Sequence, residues 1–358
     1  MPATDIAIVG WAQTPAVART DATEPQLCMQ ANLAAIAMAG IERSDIGFTC
    51  AGSCDYLTGG PFAFVQNLDA AGAWPPIAES HVEMDGAWAL YEAWVRLQHG
   101  DIDVALVFGS GKSSPSDPAE LYPQQLDPYY LEPLGLDPAS IAALQARALL
   151  DTGRATERDF AEVVARSRRD ARTNPNAHVR DEDDPERLLA APYTRNPLRA
   201  HDVAPVSDGA AAVVLATARR ARQLTEHPVF IRGIDHRVDV HQPGMRDLAT
   251  SPSATEAARR AGVGAAPVEV AELAALSSPQ ELILREAIGL GNGVTVNPSG
   301  GPLGANPVAI TGLAPSGPPE GLTATPSPRP MASRTMSSWG LETAWPSTPR
   351  AARWGPTR

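Results

Sequence analysis

The stretch that most constrains the fold runs from Ser80 to Ser114, where a polar turn precedes an amphipathic segment and a continuous apolar run. Apolar residues recur at three- and four-residue spacing from Ala87 to Leu97, which predicts a helix with one apolar face. Val104 to Phe108 is a run of β-formers bounded by polar and glycine residues, which is typical of a strand covered on both faces. The stretch therefore predicts a helix packed on a parallel sheet.

The turn before this helix carries three ionisable side chains, His81, Glu83 and Asp85. It lies where unpaired N–H groups and the helix dipole favour negative charge. Asp85 is placed to cap the helix. Glu83 is either a catalytic acid or base, or a carboxylate that only stabilises the helix start, and His81 either relays a proton or is simply hydrogen-bonded. The turn is thus a candidate catalytic site with these alternatives open.

The composition excludes several classes of function. A net charge of −12 gives no positive field for phosphate backbones, so nucleic acid and anionic membranes are not expected as partners. No stretch approaches 18 apolar residues and the N-terminus lacks a basic region, which predicts a cytoplasmic protein. Cys28, Cys50 and Cys54 have no Cys/His partner set, so we expect reduced thiols and no metal site.

The first half of the chain, residues 1–224, begins with a predicted strand over Asp5 to Trp11 and a predicted helix over Glu24 to Ala39. Apolar residues cover more than one stripe of this helix, which predicts burial on both sides. A strand is expected over Ile46 to Ala51. The glycine-rich loop that follows contains Tyr56, which either lines the cleft of the carboxylate turn or belongs to a scaffolding loop at a subunit contact.

Residues 115–200 depart from strand–helix alternation, since they are rich in proline and acidic residues. Asp137 before Pro138 predicts the capped start of one helix. Thr156, with Asp159 three residues later, predicts the start of a second. We therefore expect a helical subdomain inserted into the first half.

The second half, residues 225–313, is predicted to restart at Val229. Capping boxes are expected at Ser253 to Glu256 and at Ser278 to Glu281. Strands are expected over Val268 to Leu273 and Val294 to Asn297. The order strand, helix, strand in both halves predicts two similar layers.

The tail from Ala314 to Arg358 changes character. It holds nine prolines and five arginines against two glutamates, a net charge of +3. We expect this tail to be disordered, either because it is translated out of an ancestral frame or because it is unrelated sequence.

Three segments carry a resemblance to the thiolase family. Ser80 to Ala89 resembles the family's nucleophilic turn, Asn-x-x-Cys-(Ala/Ser)-Ser-Gly-x-x-Ala, with Gly86 and Ala89 in agreement. Asn196 to Leu215, with its Ser-Asp-Gly-Ala-Ala-Ala run, resembles the close of the first half, and Asn297 to Pro307 resembles the Asn-x-x-Gly-Gly…Gly-His-Pro loop. The resemblance implies a thiolase-like α/β fold: two similar βαβαβ halves in a layered α/β/α/β/α arrangement, with an inserted helical loop subdomain.

In that register the chain departs from the family at three positions. Glu83 occupies the place of the nucleophilic cysteine, Asn306 that of the histidine, and Ala274 that of an asparagine or histidine after a strand. An amide can donate a hydrogen bond to an oxyanion but cannot exchange protons near neutral pH. Acyl transfer through a cysteine is therefore not expected.

The pattern resembles the lipid-transfer-protein branch of the thiolases, some members of which act as retro-aldolases on steroid side-chain CoA thioesters with an OB-fold partner protein. The resemblance implies an acyl-CoA substrate, no other cofactor, a homodimer and such a partner. The expected site comprises Glu83, His81 and Asp85 as catalytic candidates and Asn306, Ser299, Gly300, Gly301 and Tyr56 as substrate-binding residues. The competing interpretations are a non-catalytic binding or structural subunit and an inactive, frame-damaged homologue.

Overall fold

The computed structural model of the chain describes residues 4–58, 63–72, 74–181, 184–240, 242–308 and 310. Within these ranges the chain forms ten strands and twelve α-helices. The strands are β1 (Ile6–Gln13), β2 (Phe48–Gly52), β3 (Ala78–Val82), β4 (Val104–Lys112), β5 (Tyr193–Arg195), β6 (Leu198–Arg199), β7 (Asp208–Thr217), β8 (Val229–Phe230), β9 (Val270–Ala271) and β10 (Thr295–Val296). The helices are α1 (Glu24–Ala39), α2 (Asp55–Thr58), α3 (Ala63–Ala71), α4 (Gly86–Leu97), α5 (Pro118–Leu121), α6 (Pro138–Asp151), α7 (Glu157–Ala171), α8 (Pro185–Leu189), α9 (Ala218–Leu224), α10 (Pro252–Arg260), α11 (Ser278–Ala287) and α12 (Gly301–Gly304).

Six strands form one sheet in the order β3-β2-β4-β7-β1-β8. β2 pairs in parallel with β3 and β4, whereas β7 runs antiparallel to β4 and β1. The strand predicted at Val104 to Phe108 is confirmed and continues to Lys112, which pairs with Asp208 of β7. The carboxyl ends of β2, β3 and β4 consequently meet at one end of the sheet.

Helices cover the two faces of this sheet separately. Leu106 and Phe108 of β4 pack with α1 and α3, while Ala105 and Val107 pack with α4 on the opposite face. All four side chains are buried, and burying one such as Phe108 stabilises the fold by about 1.5 to 3 kcal/mol. The predicted packing of a helix on the sheet is confirmed, but the sheet is mixed: only β2, β3 and β4 are parallel, and β7, β1 and β8 pair antiparallel.

Helix α1 has the predicted bounds. It begins after Thr23, which forms a capping box with Gln26, and it ends at Gly40, whose φ of 64° suits glycine. The expectation of burial on both sides is wrong, because the helix packs against the sheet on one side only. Leu27 and the alanines on its stripe are buried, whereas the Leu33 side of the helix faces outward with Leu33 61% exposed.

The region between β4 and β7 is helical, as predicted. The Asp137 carboxylate accepts the Ser140 N–H at 2.6 Å at the start of α6. Thr156 and Asp159 form the predicted capping box at the start of α7, where the Asp159 carboxylate accepts the Thr156 N–H at 2.7 Å. Helix α7 then packs against α8, α11 and α12.

The second half differs from the prediction in two ways. β8, the expected restart, pairs with β1 and is the sixth strand of the first sheet. Strands β9 and β10 are shorter than predicted and pair in parallel as a separate two-stranded sheet within the described residues. Helices α10 and α11 form an apolar cluster with these two strands.

The predicted capping residues of α10 and α11 are displaced. Ser251 caps α10, because the Ser253 hydroxyl instead donates to the Asp239 carboxylate at 2.6 Å. Ser277 caps α11, because the Ser278 hydroxyl donates to Asp202 at 2.7 Å. Long-range partners therefore decided which serine of each pair acts as the cap.

Two further expectations concern the whole chain. The predicted disorder of residues 314–358 falls outside the described residues. In the part of the chain that the structure describes, none of the helices is long and apolar enough to cross a lipid bilayer.

Candidate functional site

The 83–85 turn joins the end of β3 to the start of α4. Since β2, β3 and β4 are parallel, this turn lies beside the segments that follow β2 and β4. Helix α4 starts very close to β2: a Cβ added to Gly52 would lie 2.8 Å from the backbone nitrogen of Gly86. A residue with a side chain at position 52 would push the helix start away from the sheet.

Asp85 is the N-cap of α4, as predicted. Its backbone is extended, with φ −77° and ψ 155°, and its Oδ1 accepts the Ala87 N–H at 2.7 Å. The side chain is buried. A cap of this kind contributes about 1 kcal/mol to stability, so the structure assigns Asp85 a helix-capping role.

Glu83 is half-buried and faces the segment that follows β2. Its Oε1 accepts the Asp55 N–H at 2.5 Å, and its Oε2 accepts the Ser53 hydroxyl at 3.4 Å. Burial raises the pKa of Glu83 to about 7 and outweighs these two hydrogen bonds, which lower it. The carboxyl group therefore changes protonation near neutral pH, as a general acid or base must.

His81 lies on the other face of the sheet. It pairs with Ala51, whose side chain belongs to the α1 face, so the His81 ring points away from α4. The ring stacks on Phe64 of α3 with centroids 3.4 Å apart, its Nδ1 is 3.6 Å from the Glu79 carboxylate, and its side chain is 40% exposed. The structure thus separates His81 from the start of α4.

The 306–308 segment lies on the α4 face of the sheet. The Asn306 N–H donates to the Ser207 hydroxyl at 3.0 Å. A Cβ on Gly111 of β4 would lie 2.0 Å from the Val308 carbonyl oxygen, so the segment crosses directly over the end of β4. Ile310, just beyond, belongs to the apolar cluster of α4.

The start of α4 and the 306–308 segment are neighbours. Gly52, beneath the start of α4, pairs with Gly109, and Gly111 lies two residues further along β4. With strands about 4.8 Å apart and about 3.3 Å of rise per residue, Gly52 and Gly111 are roughly 8 Å apart. The end of the sheet thus brings together the two segments that carry Glu83 and Asn306.

In the glycine loop, defined here as residues 297–304, the N–H groups of Gly300 and Gly301 are engaged inside the loop. The Gly300 N–H donates to the Asn297 carbonyl at 2.9 Å, and the Gly301 N–H donates to the Ser299 hydroxyl at 3.3 Å. Both glycines have positive φ, and a Cβ on Gly300 would lie 2.5 Å from Cβ of Ala171 in α7. These glycines serve turn geometry and close packing, and their predicted role at a thioester oxygen requires the present bonds to open.

Ser299 is held by a carboxylate that the sequence did not single out. Glu272 accepts both the Ser299 hydroxyl at 2.7 Å and the Ser299 N–H at 3.2 Å. Strand β9 ends at Ala271, so the first side chain beyond it is Glu272 and Ala274 stands three residues past the strand end. The group that follows the strand is therefore an acid already bonded to the glycine loop.

Tyr56 lies in α2, next to the residues that bind Glu83. Its ring meets that of Tyr122, from the inserted region, edge to face with centroids 5.7 Å apart. Burial raises the pKa of Tyr56 above its ordinary value, and burial raises the pKa of the nearby Cys54 thiol to about 12. Tyr56 is thus a neutral phenol at the edge of the candidate site, and Cys54 is a poor nucleophile.

A second shifted carboxyl group was missed by the sequence reasoning. Glu24, in the first turn of α1, is 8% exposed. Burial raises its pKa to about 7, Lys112 lowers it, and Asp208 and Asp55 raise it further. The apolar residues around Glu24 predicted a helix, but they could not predict that the start of this helix lies beside Lys112, which donates to the Ala22 carbonyl.

Within the described ranges, no three His, Cys, Asp or Glu side chains are grouped so that they could hold a metal ion. The candidate site consists of the Glu83 carboxyl group and the 306–308 segment, which the glycine loop precedes in sequence. Such an arrangement offers proton transfer and hydrogen bonding to a developing oxyanion.

A scan of the sequence against descriptions of known protein families finds no match. Individual proteins are similar over most of the chain. An acetyl-CoA acetyltransferase of Methanothermobacter thermautotrophicus is 26% identical over 269 residues, which cover 72% of this chain and 69% of that protein. A 17-hydroxy-3-oxo-4-pregnene-20-carboxyl-CoA lyase of Mycobacterium tuberculosis is 26% identical over 247 residues, covering 63% and 61%.

Solved structures show the same relationship at the level of the fold. A structure described as "Ltp2-ChsH2(DUF35) aldolase" matches with a TM-score of 0.71 at 23% identity, covering 84% of this chain and 85% of that one. An acetyl-CoA acetyltransferase from Syntrophomonas wolfei matches with a TM-score of 0.66 at 16% identity, covering 87% of this chain and 90% of that one. A human mitochondrial 3-ketoacyl-CoA thiolase matches with a TM-score of 0.67 at 15% identity, covering 86% and 88%.

The fold and the site therefore define an α/β protein with a thiolase-like fold, which confirms the predicted fold class. The homologues of the chain are thiolase-family proteins, among them a steroid side-chain lyase.

Proposed function

We propose that this chain binds a coenzyme A thioester between the start of α4 and the 306–308 segment and cleaves a carbon–carbon bond in the acyl group. The observation that carries the proposal is the Glu83 carboxyl group, whose pKa of about 7 suits proton transfer beside the start of α4. The similarity to a steroid side-chain lyase supports a steroid or lipid side chain as the acyl group.

The proposed reaction is a retro-aldol cleavage. The Glu83 carboxylate takes the proton of a hydroxyl on the β-carbon, and the O–H electron pair becomes the second bond of a new carbonyl group. The bond between the α- and β-carbons breaks, and its electrons pass to the α-carbon as a thioester enolate. The protonated Glu83 then returns the proton to the α-carbon, which leaves a ketone or aldehyde and a shorter thioester.

The enolate oxygen needs a hydrogen-bond donor. The Asn306 side-chain amide is our candidate, since its segment crosses the end of β4 beside the start of α4. An amide donates without exchanging a proton, which suits oxyanion stabilisation. Gly300 and Gly301 could also donate, once the bonds that their N–H groups make within the loop have opened.

We further propose that ordinary acyl transfer has been lost. Glu83 stands in the register of the thiolase nucleophile, and a carboxylate at that position cannot form the acyl-cysteine that a thiolase exchanges. Cys54 is a poor substitute because burial raises its thiol pKa to about 12.

The test compares Glu83→Gln with the wild-type chain on a β-hydroxyacyl-CoA. Loss of general base catalysis should lower the cleavage rate about 10²- to 10⁴-fold, measured as release of the shortened thioester by chromatography. Asp85→Asn is the matched control, because asparagine also caps a helix and should leave the rate near wild type. An unchanged rate in Glu83→Gln would refute the assignment of the base.

A second candidate is a non-catalytic binding or structural subunit. It is favoured by the two hydrogen bonds that already occupy Glu83 and by the internal bonds of the glycine loop. Thermal stabilisation by acyl-CoA without any turnover would indicate a binding subunit. No stabilisation at all would indicate a purely structural one.

We also propose a homodimer and a second, OB-fold partner protein. β3 is an edge strand of the described sheet, and an open edge is a natural place for a second chain to pair. The solved neighbour described as an Ltp2-ChsH2(DUF35) aldolase names two components. Light scattering of the purified chain would test the dimer, and co-expression with a DUF35-type protein would test the second partner.

A further inference from the structure

A buried ion pair joins the inserted region to the second half of the chain. Nη2 of Arg166, on α7, donates to both carboxylate oxygens of Glu281, on α11, at 2.6 Å each. The Glu281 side chain is 1% exposed and that of Arg166 is 21% exposed. The two residues are 115 positions apart in sequence.

The same carboxylate also holds the first residue of the glycine loop. The Asn297 side-chain amide donates to Glu281 Oε2 at 3.0 Å, and its Oδ1 accepts the Leu273 N–H at 2.6 Å. Asn297 has a φ of 48°, a left-handed conformation that residues with side chains seldom adopt. Asparagine adopts this conformation more readily than most residues, and its two side-chain bonds hold it there.

Helix α7 makes further contacts with the loop. The Ser167 hydroxyl donates to the Gly300 carbonyl. The Asn174 side chain, just after the helix, donates to the Ser299 carbonyl at 3.1 Å. Together with the approach of Ala171 to Gly300, these contacts attach the loop to the inserted region along its length.

We propose that Arg166 and Glu281 are positioning residues that hold the glycine loop, and through it Asn306, in place from the inserted region. The proposal that this placement serves substrate binding rests on the proposed function. Replacing a buried ion pair by apolar residues often leaves stability unchanged, so stability alone does not require this pair. The bond from Asn297 to Glu281 indicates that the pair positions the glycine loop.

The test measures backbone hydrogen exchange in the full-length chain by mass spectrometry. In Arg166→Met and Glu281→Leu, the peptide covering residues 296–306 should exchange at least tenfold faster than in the wild type. The peptide covering β4 reports whether the whole fold has been loosened. Arg154→Met is the matched control, because the Arg154–Glu286 pair also reaches α11 at 2.6 Å but lies on the exposed surface.

A double variant separates positioning from stability. Arg166→Met with Glu281→Leu removes both charges, so exchange in β4 should return to the wild-type rate. Asn297 still lacks its acceptor, so residues 296–306 should stay fast. Recovery of both peptides together would overturn the proposal, as would single variants whose loop exchanges at the wild-type rate.

Acetyl-CoA binding, followed by thermal shift, supplies the functional readout. The double variant should bind acetyl-CoA at least tenfold more weakly than the wild type while Arg154→Met binds normally. If a variant with rapid hydrogen exchange in residues 296–306 bound acetyl-CoA as the wild type does, the proposal that the loop's placement serves substrate binding would be wrong. A wild-type chain that acetyl-CoA does not stabilise would contradict the proposed function, and the exchange results would still decide whether the pair holds the loop.

Discussion

Glu83, in the candidate site, and Glu281, which holds the glycine loop from α11, are two carboxylates whose surroundings are opposite. Glu281 is fully buried, faces an arginine and binds an asparagine of the glycine loop. Glu83 is half-buried and accepts from a backbone N–H and a serine hydroxyl. Burial raises its pKa to about 7, and the Asp55 carboxyl group beside it also raises its pKa.

The difference separates a structural carboxylate from one suited to chemistry. Removing the arginine partner of a buried carboxylate is costly, because it leaves an uncompensated buried charge. A carboxyl group that is desolvated without a nearby cation has its pKa raised towards neutral pH. Function in this molecule is therefore better sought at the 83–85 turn than in the glycine loop, although the loop carries the more recognisable sequence pattern.

The largest expected effect comes from breaking the buried pair. Arg166→Met leaves the buried Glu281 without a cation, so we expect a loss of about 3 to 5 kcal/mol in the free energy of unfolding. Urea denaturation measures this loss. Adding Glu281→Leu should recover most of it, and a double variant as unstable as the single one would contradict the comparison.

Glu24 is a third buried carboxyl group, and it has both a cation, Lys112, and two carboxylates, Asp208 and Asp55, nearby. Folding raises its pKa from 4.5 to about 7, so its stabilising contribution is complete below pH 4.5 and is lost as the pH rises through 7. The wild type should therefore be less stable at pH 8 than at pH 5, with Glu24 accounting for about 1 to 3 kcal/mol. In Glu24→Gln, unfolding curves at the two pH values should differ by correspondingly less.

The pH profile of cleavage addresses Glu83 directly. Because burial raises its pKa to about 7, the basic form should increase roughly tenfold between pH 6 and pH 8, and the rate with it. Cleavage rates at saturating substrate across this range would show the rise. A flat profile would assign the proton transfer to another group.

The smallest effect is expected at Asp85, whose side chain caps α4. Asp85→Ala should cost about 1 kcal/mol in the free energy of unfolding, whereas Asp85→Asn should cost little because asparagine also caps. Thermal unfolding of both variants gives the comparison. If Asp85→Asn kept full stability and lost the cleavage activity, Asp85 would have a chemical role as well.

Local patterns predicted the elements around the site well. The apolar spacing after Asp85 defined α4, the apolar run after Asp103 defined β4, and the caps at Asp137 and Thr156 were correct. Each of these depends on residues within one turn or one strand. Capping and apolar spacing, which act between residues close in sequence, were sufficient to predict these elements.

Features that depend on distant partners could not be read from the sequence. Nothing near Arg166 indicates that it meets Glu281, and nothing near Gly300 indicates that its N–H is already bonded within the loop. The choice between Ser251 and Ser253 as a cap depended on Asp239. Similarly, His81 lies two residues before Glu83 in sequence but points to the other face of the sheet.

The pairing of β8 with β1 has a practical consequence for dividing the protein. A fragment ending at residue 224 would lack β8, the outermost strand of the sheet. The edge of β1 at Ala7 and Ile8 would then lose its pairing partner. Uncovered edges of this kind recruit other chains and promote aggregation. Truncations intended to isolate the first half should therefore retain the chain at least through Ile231, whose N–H donates to the Ile6 carbonyl of β1 at 2.9 Å.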